Sequence, residues 1–217
     1  MAAKNRGFTL IEVLVVITII AALMGLGIAI MGKANKTKEA TVTAQTVGVV
    51  AAALEQLKSP TLLGDYPPAE MALLRGLKGE AVGKEVGTPN DTNQGIETVF
   101  VTIFLSGHDV GVDLDLDKVL ANTDKDSMAG NPTRSQDEQK SLFEFVDAWG
   151  NPLAYFSARD LKDYEKVSKY VDALGNAMTA KPWISESTKL PQNAKKFQLF
   201  SAGEDGVFNT KDDIKNW

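Results

Sequence analysis

The stretch RGFTLIEVLVVITIIAALMGLGIAIMGK, Arg6 to Lys33, decides how the rest of the sequence is interpreted. From Phe8 to Gly32 it has twenty-five residues and a single charged side chain, Glu12. As an α-helix this run would be about 37 Å long, enough to cross a bilayer core of about 30 Å. A carboxylate in hydrocarbon costs several kcal/mol unless it is paired or lies near an end. Glu12 is therefore a functional candidate.

Two other interpretations of the apolar run are weaker. The apolar region of a secretory signal peptide usually has about 7–15 residues, which is shorter than this run. A buried helix of a soluble protein seldom stays apolar on every face for so many turns. A membrane-inserted helix fits best.

Composition narrows the remaining possibilities. A chain of 217 residues has room for one globular domain and an appendage. The absence of cysteine excludes disulfides, zinc–thiolate sites and cysteine nucleophiles. Residues 1–58 carry six Lys/Arg against three Glu (+3), whereas 59–217 carry seventeen against twenty-five Asp/Glu (−8). An acidic head lacks the clustered basic residues that displace counterions, so we expect no nucleic-acid partner.

The N-terminal residues carry a family resemblance. KNRG at 4–7, followed by FTLIEVLVV at 8–16, resembles the class III signal of type IV pilins and type II secretion pseudopilins. The resemblance implies that a prepilin peptidase cleaves after Gly7 and N-methylates Phe8. It also implies that Glu12 pairs with the amine of Phe8 in a neighbouring subunit, which would fix the axial register of a filament. A protonated or snorkelling Glu12 without an assembly role is the alternative.

A second helical pattern follows the apolar run. Small and apolar residues recur every three or four positions, at Ala40, Ala44, Val47, Val50, Ala51, Leu54 and Leu57. Ser59-Pro60 ends the pattern, because the residue before proline avoids helical angles. We expect a leader at 1–7, a helix at 8–58 and a head at 59–217. Within the helix, 8–32 is the transmembrane segment and filament core, and 33–58 is an amphipathic stalk.

The resemblance implies an α+β, pilin-like fold: a long N-terminal α-helix packed on a small antiparallel sheet, with short helices and a C-terminal calcium loop. The first half of the head predicts mostly helix and loop. It comprises a helix at 71–77 that ends at Gly79, a loop at 79–95, a helix or strand at 96–104 with helix preferred, and a loop at 122–140. DLDLD at 113–117 lacks the EF-hand glycine and glutamate, so it predicts an exposed strand or solvated turn.

The second half of the head predicts strands. Apolar runs flank WGNP at 149–152, so residues 143–157 predict a β-hairpin or tight crossover. This segment is similar to the Asp-x-Trp-Gly-Asn-Pro segment of major pseudopilins. Residues 197–200 predict a further strand, and 158–195 are longer than the resemblance implies.

The C-terminal segment SAGEDGVFNTKDDIKNW, Ser201 to Trp217, has calcium-binding chemistry. Hard cations take six to eight oxygen ligands, which a glycine-punctuated acidic loop can supply. The segment resembles the calcium loop of major pseudopilins. That resemblance implies Ca²⁺ ligation by the side chains of Asp205, Asp212 and Asp213 and the carbonyls of Ala202, Val207 and Thr210. The alternative is a solvated acidic turn without metal.

Catalysis finds little support in the sequence. The single histidine, His108, is in a Ser-Gly-His-Asp turn, and no nucleophile elbow, P-loop or dinucleotide motif occurs. We expect a protein that is not an enzyme. Paired carboxylates of the glycosidase type remain an open alternative, because any acidic head offers candidates.

Three functions are compatible with these observations. The first is a major-type pseudopilin, a homopolymer that works with prepilin peptidase, minor pseudopilins and the inner-membrane secretion platform. By the resemblance it would cross the inner membrane once, with its head in the periplasm. The second is a type IV pilin for adhesion, motility or DNA uptake, whose head usually has a cysteine pair. The third is a membrane-tethered calcium-binding or hydrolytic domain that does not polymerise.

Overall fold

The protein is described by a computed structural model that covers residues 10–71, 90–104, 110–126, 142–163 and 165–217. Within the first range, residues 22–35 are described as helical backbone without their side chains. The chain divides into two compact units, residues 1–39 and 40–217. The helix predicted at 71–77 lies almost wholly outside the described residues.

Helix α1 runs from Leu10 to Leu57, where the sequence predicts a helix at 8–58. Glu12 lies in the first turn of the helix as described. After Leu57 the chain turns, and the N–H of Leu63 donates to the carbonyl of Leu57 at 3.0 Å. Among the described residues no helix contains a stretch both long and apolar enough to span a bilayer, so the predicted span at 8–32 is not confirmed.

The last turns of α1 contribute to the main core of the head. Their buried apolar residues are Val47, Val50, Ala53, Leu54 and Leu57. The predicted stripe is wrong at Ala44, which is exposed, because Thr43 and Thr46 occupy the buried face at this height. Both threonines are tolerated there because their hydroxyls are hydrogen-bonded: that of Thr46 donates to the carbonyl of Val42 at 3.1 Å.

Helix α2, Gln94–Phe104, confirms the preference for helix in this region. It is buried from Gly95 to Ile103, which explains why its β-branched residues fit: tertiary packing outweighs their low helix propensity. It starts inside the predicted 79–95 loop, so that boundary is wrong by two residues. A Cβ at Gly95 would lie 2.8 Å from the carbonyl oxygen of Tyr155, so glycine permits the close approach of helix and strand.

The strands form three small antiparallel sheets in the described residues, not the single small sheet that was predicted. The first pairs β1 (Leu120–Ala121) with β2 (Glu144–Phe145). The second has the order β3–β6–β7, with bounds Ala154–Ser157, Phe197–Ser201 and Ile214–Lys215. The third pairs β4 (Ser168–Val171) with β5 (Ala177–Ala180).

The central sheet is buried on both faces. Tyr155 and Leu199 face the main core with α1 and α2, whereas Phe156 and Phe200 belong to a second apolar cluster. Side chains alternate between the two faces of a strand, so apolar residues at adjacent positions such as Leu199 and Phe200 contribute to both clusters. The predicted strand at 197–200 is confirmed as β6, and β7 was not predicted.

The structure decides between alternatives for two other segments of the head. Residues 113–117 form no strand but an irregular, mostly exposed segment, in agreement with the predicted solvated turn, which leads into a short helix α3, Leu116–Val119. The apolar runs in 143–157 do not pair as a regular hairpin, because β2 joins β1 and β3 joins β6. They are connected by a tight turn closed by one bridge between Val146 and Pro152. The long segment 158–195 contains a 3₁₀ turn, Asp160–Lys162, and the β4–β5 hairpin.

Candidate functional site

The first three turns of α1 expose apolar side chains on every side of the helix. Leu10 is 83% exposed, Ile11 is 70% exposed, and Ile20 is still 45% exposed. The others are Val13, Leu14, Val15, Val16, Ile17 and Ile19. Apolar surface of this extent is rare on a soluble monomer and marks a surface that other molecules or a membrane cover.

Glu12 is exposed within this apolar segment, one residue after Ile11. The two residues that the sequence places at the processing site, Gly7 and Phe8, lie outside the described residues. The pairing of Glu12 with a neighbouring Phe8 amine therefore stays a prediction.

All six predicted calcium ligands lie in one loop, residues 202–213, which joins β6 to β7. On the exposed side of this loop, Asp212 accepts hydrogen bonds from two other loop residues. Its Oδ2 accepts a hydrogen bond from the N–H of Asp205 at 3.1 Å, and its Oδ1 accepts one from the hydroxyl of Thr210 at 2.6 Å. The Thr210 hydrogen bond is the main reason that the pKa of Asp212 is lowered. Asp205 Oδ1 in turn accepts from the N–H of Val207 at 2.8 Å.

Asp213 points the other way and is buried. Its Oδ2 accepts hydrogen bonds from the N–H of Asn209 at 2.9 Å and from the indole N–H of Trp183 at 3.1 Å. Its Oδ1 accepts from the N–H of Thr210 at 3.2 Å. Burial raises the pKa of Asp213 although these donors oppose the shift. Protein donors thus contact both oxygens of this carboxylate.

The loop closes at Gly203, which has a positive φ of 68°. A Cβ at this position would lie 2.5 Å from Oδ2 of Asp212 and 2.6 Å from its carbonyl oxygen. Only glycine combines this backbone conformation with so close a contact. The tight turn between Gly203 and Asp212 is therefore built into the sequence.

Asp147 connects the turn before β3 with the end of β6, immediately before this loop. Its carboxylate accepts backbone N–H donors from Trp149 at 3.0 Å and Asn151 at 2.9 Å, and the hydroxyl of Ser201 donates to it at 2.6 Å. Ser201 also accepts from the N–H of Gly203 at 2.9 Å. The next residue, Ala148, donates to a threonine of α1 at 3.1 Å. The turn at 147–151 and the end of β6, which are far apart in the sequence, are thus held together by one buried acid.

A different set of acids converges more closely than the predicted calcium ligands. In the described parts of the chain, one group of three carboxylates places an oxygen from each within 4.8 Å of the other two: Glu97, Asp124 and Asp126. This group was not predicted from the sequence, where 122–140 was interpreted only as a loop; residues 127–140 of that loop lie outside the described residues. The signal was available in NTDKD, residues 122–126, which alternates acids as DLDLD does.

The comparisons with known proteins bear on the N-terminus alone. The prokaryotic N-terminal methylation motif matches residues 2–28 of this chain. This motif is the prepilin signal of type IV pilin-like proteins, a structural class; it implies processing by a prepilin peptidase and a membrane-anchored filament subunit. Comparison with curated proteins and with solved structures gives no match.

Proposed function

We propose that this chain is a major-type pseudopilin, the structural subunit of a type II secretion pseudopilus. In this proposal it is cleaved after Gly7, methylated at Phe8, and stored in the inner membrane with its head in the periplasm. It then polymerises through α1 and helps to drive exoprotein export. Its partners are further copies of itself, minor pseudopilins and the inner-membrane secretion platform.

The observation that carries the proposal is the exposed apolar segment of α1 between Leu10 and Ile20, inside the matched motif. Covering apolar surface is favourable by roughly 25 cal/mol per Å², so this segment favours lipid before assembly and neighbouring helices afterwards. Glu12 makes the transfer selective. A carboxylate surrounded by apolar helices is strongly penalised unless a cation meets it, and the amine of Phe8 in the next subunit is a cation at a fixed offset.

Composition favours the pseudopilus over a type IV pilus. The heads of true pilins usually carry a cysteine pair, and this chain has no cysteine. The head is instead joined internally by buried hydrogen bonds such as those of Asp147. A type IV pilin for adhesion, motility or DNA uptake is the second candidate, because the matched motif is common to both classes.

We also propose that the 202–213 loop binds calcium, with the six ligands named above. Its support is the hard oxygen chemistry of Asp205, Asp212 and Asp213 on one loop. The described geometry supports Asp205 and Asp212, which are exposed, better than Asp213, whose oxygens already accept from Trp183 and backbone donors. Bound calcium would supply structural stabilisation by linking the loop to itself.

The deciding experiment is deletion of the gene in its native host, followed by two readouts. Loss of exoprotein release without loss of surface fibres supports the pseudopilin. Loss of surface fibres with normal exoprotein release would contradict it and favour the pilin. Mass spectrometry of the native protein should show a chain that begins with methylated Phe8; a retained leader at 1–7 would refute both filament hypotheses.

A further inference from the structure

Glu97 is a buried acid whose carboxylate has no hydrogen-bond donor. It lies in the first turn of α2, its side chain is 0% exposed, and neither Oε1 nor Oε2 has a hydrogen-bond partner. Burying an ionised carboxylate without compensation is among the most unfavourable events in a protein interior. Something other than the described hydrogen bonds must stabilise this group.

The unsatisfied buried atoms of the described residues belong to Glu97 and to the segment 122–126. In the described residues, every buried side-chain nitrogen or oxygen without a hydrogen-bond partner belongs to one of four residues: Glu97, Asn122, Asp124 and Asp126. These atoms are six in number, and all are oxygens. An ordinary solvated acidic patch would not leave its oxygens both buried and unpartnered.

Neutral donors hold the other atoms of this cluster in place. The hydroxyl of Thr92 donates to Oδ2 of Asp124 at 2.7 Å, which leaves Oδ1 without a partner. The amide nitrogen of Asn122 donates to the carbonyl of Asp126 at 2.7 Å, which leaves the amide oxygen of Asn122 without one. The loop is thus fixed by one set of atoms while a second set of oxygens remains available.

The buried acid behind the cluster is already satisfied. Glu144 accepts hydrogen bonds from the side-chain amide of Asn93 at 3.0 Å and from the N–H of Thr123 at 3.1 Å. The Asn93 amide also donates to the hydroxyl of Thr123 at 2.7 Å. We therefore do not count Glu144 as a ligand, although its charge adds to the negative potential at Glu97.

No positive side chain compensates this charge within the described residues. Their ion pairs lie elsewhere, and none joins a lysine or arginine to Glu97, Asp124 or Asp126. Burial first, and then the neighbouring carboxylates, raise the pKa of Glu97 far above its ordinary value. Two kinds of compensation are physically available: a metal cation, or a proton shared between Glu97 and Asp126.

We propose that Glu97, Asp124, Asp126 and the amide oxygen of Asn122 form a structural site for a divalent cation, with calcium preferred. Calcium takes six to eight oxygen ligands, accepts bidentate carboxylates and tolerates irregular geometry, whereas magnesium keeps several waters. The site would connect α2 to the segment that follows β1. It is separate from the 202–213 loop and does not depend on filament assembly.

The test measures bound calcium and thermal stability on the full-length chain in detergent. The background carries Asp205→Asn and Asp212→Asn, which removes the two exposed carboxylates of the C-terminal loop and so weakens any calcium binding there. Glu97→Gln removes one charge and keeps the shape of the side chain; Asp117→Asn, an exposed acid on α3, is the matched control. We expect about one calcium per chain in the background and in the control, and at least tenfold weaker binding in Glu97→Gln. In chelator, Glu97→Gln should melt at or above the temperature of the background.

Three outcomes would overturn the proposal. The first is no calcium bound by the background, and the second is equal calcium bound by Glu97→Gln. The third is a melting temperature of the background that does not change with calcium but depends on pH, with this pH dependence lost in Glu97→Gln. That result would show that a proton shared between Glu97 and Asp126, and not a cation, stabilises the cluster. If Glu97→Gln does not fold, Asp124→Asn at a half-buried position takes its place with the same readouts.

Discussion

Glu12 and Glu97 are both glutamates with apolar neighbours in the sequence, but their environments in the folded chain are opposite. Each is in the first turn of a helix among apolar neighbours, in LIEVLVV and in QGIETVF. Glu12 is exposed, together with the apolar side chains around it, whereas Glu97 is 0% exposed. The difference indicates where each carboxylate obtains a compensating positive charge. For Glu12 we propose that it comes from a second copy of the chain, and for Glu97 from a cation bound inside the head.

The carboxylate of Asp147 is in a third kind of environment. It is also buried, but it accepts donors from two backbone N–H groups, the Asn151 amide and the Ser201 hydroxyl. Burial still raises its pKa, yet the protein itself supplies what the carboxylate needs. An acid that the chain satisfies by itself predicts a structural role, and an acid that it leaves unsatisfied predicts a ligand or partner.

The largest expected effect concerns Glu12. Glu12→Ala should leave processing intact and remove filament assembly, because the axial register loses its charge pair. Glu39→Ala, on the same helix but outside the apolar segment, is the matched control. Electron microscopy and cross-linking measure assembly, and mass spectrometry measures cleavage. Normal filaments from Glu12→Ala would contradict the proposed pairing of Glu12 with a neighbouring subunit.

The second prediction concerns the pH dependence of stability that results from Glu97 and the acids near it. Burial raises the pKa of Glu97 and Asp126, and raises that of Glu144 from 4.5 to about 8. A raised carboxyl pKa means that the folded state holds protons which the unfolded state releases above about pH 4.5. In chelator, the contribution of these groups to the free energy of unfolding should therefore be greatest below pH 4.5 and should fall as the pH rises towards 8.

Calcium should reduce this pH dependence, because a bound cation replaces the protons. We expect the melting temperature in chelator to fall on the order of 5 °C between pH 5 and 8, and to fall less in calcium. Scanning calorimetry at matched ionic strength measures both slopes. A melting temperature in chelator that rises over this interval would contradict the raised pKa of these acids in the folded state.

The third prediction concerns the C-terminal loop. Gly203→Ala combines a positive φ with a Cβ 2.5 Å from the Asp212 carboxylate, and should cost about 1–3 kcal/mol of unfolding free energy. Gly175→Ala is the matched control, since its φ is 86° but no atom lies within 4 Å of the added Cβ. Denaturant unfolding compares the two variants. Equal losses would show that backbone conformation alone, and not the contact with Asp212, determines the effect.

The smallest effect is expected at Ser201. Ser201→Ala removes its hydrogen bond to Asp147 and the one it accepts from Gly203, and should cost about 0.5–1.5 kcal/mol of unfolding free energy. We place it below Gly203→Ala because Asp147 keeps three other donors. The exposed Ser187→Ala serves as control. A loss no greater than that of the control would show that the link between turn and loop does not stabilise the head.

The parts of the fold that follow from local pattern were predictable. The periodicity after Gly32 and the stop at Ser59-Pro60 gave α1, and the apolar run at 197–200 gave β6. Strand pairing was not predictable in the same way. The runs on either side of WGNP are adjacent in sequence, yet β3 pairs with β6 over forty residues away. Pairing between distant strands depends on which faces are buried, which adjacency in sequence does not encode.

The sequence by itself determined the N-terminal chemistry: a methylation motif, an apolar helix and one acid within it, all readable because each depends only on neighbouring residues. The tertiary structure alone decided which acids of the head are buried. DLDLD at 113–117 and NTDKD at 122–126 both place acids at alternate positions, but the acids of the first are exposed, whereas Asp124 and Asp126 are half-buried or buried and lie close to Glu97 of α2. The physical reason is that desolvation and convergence of charges depend on the whole packed head, including a glutamate some thirty residues away along the chain.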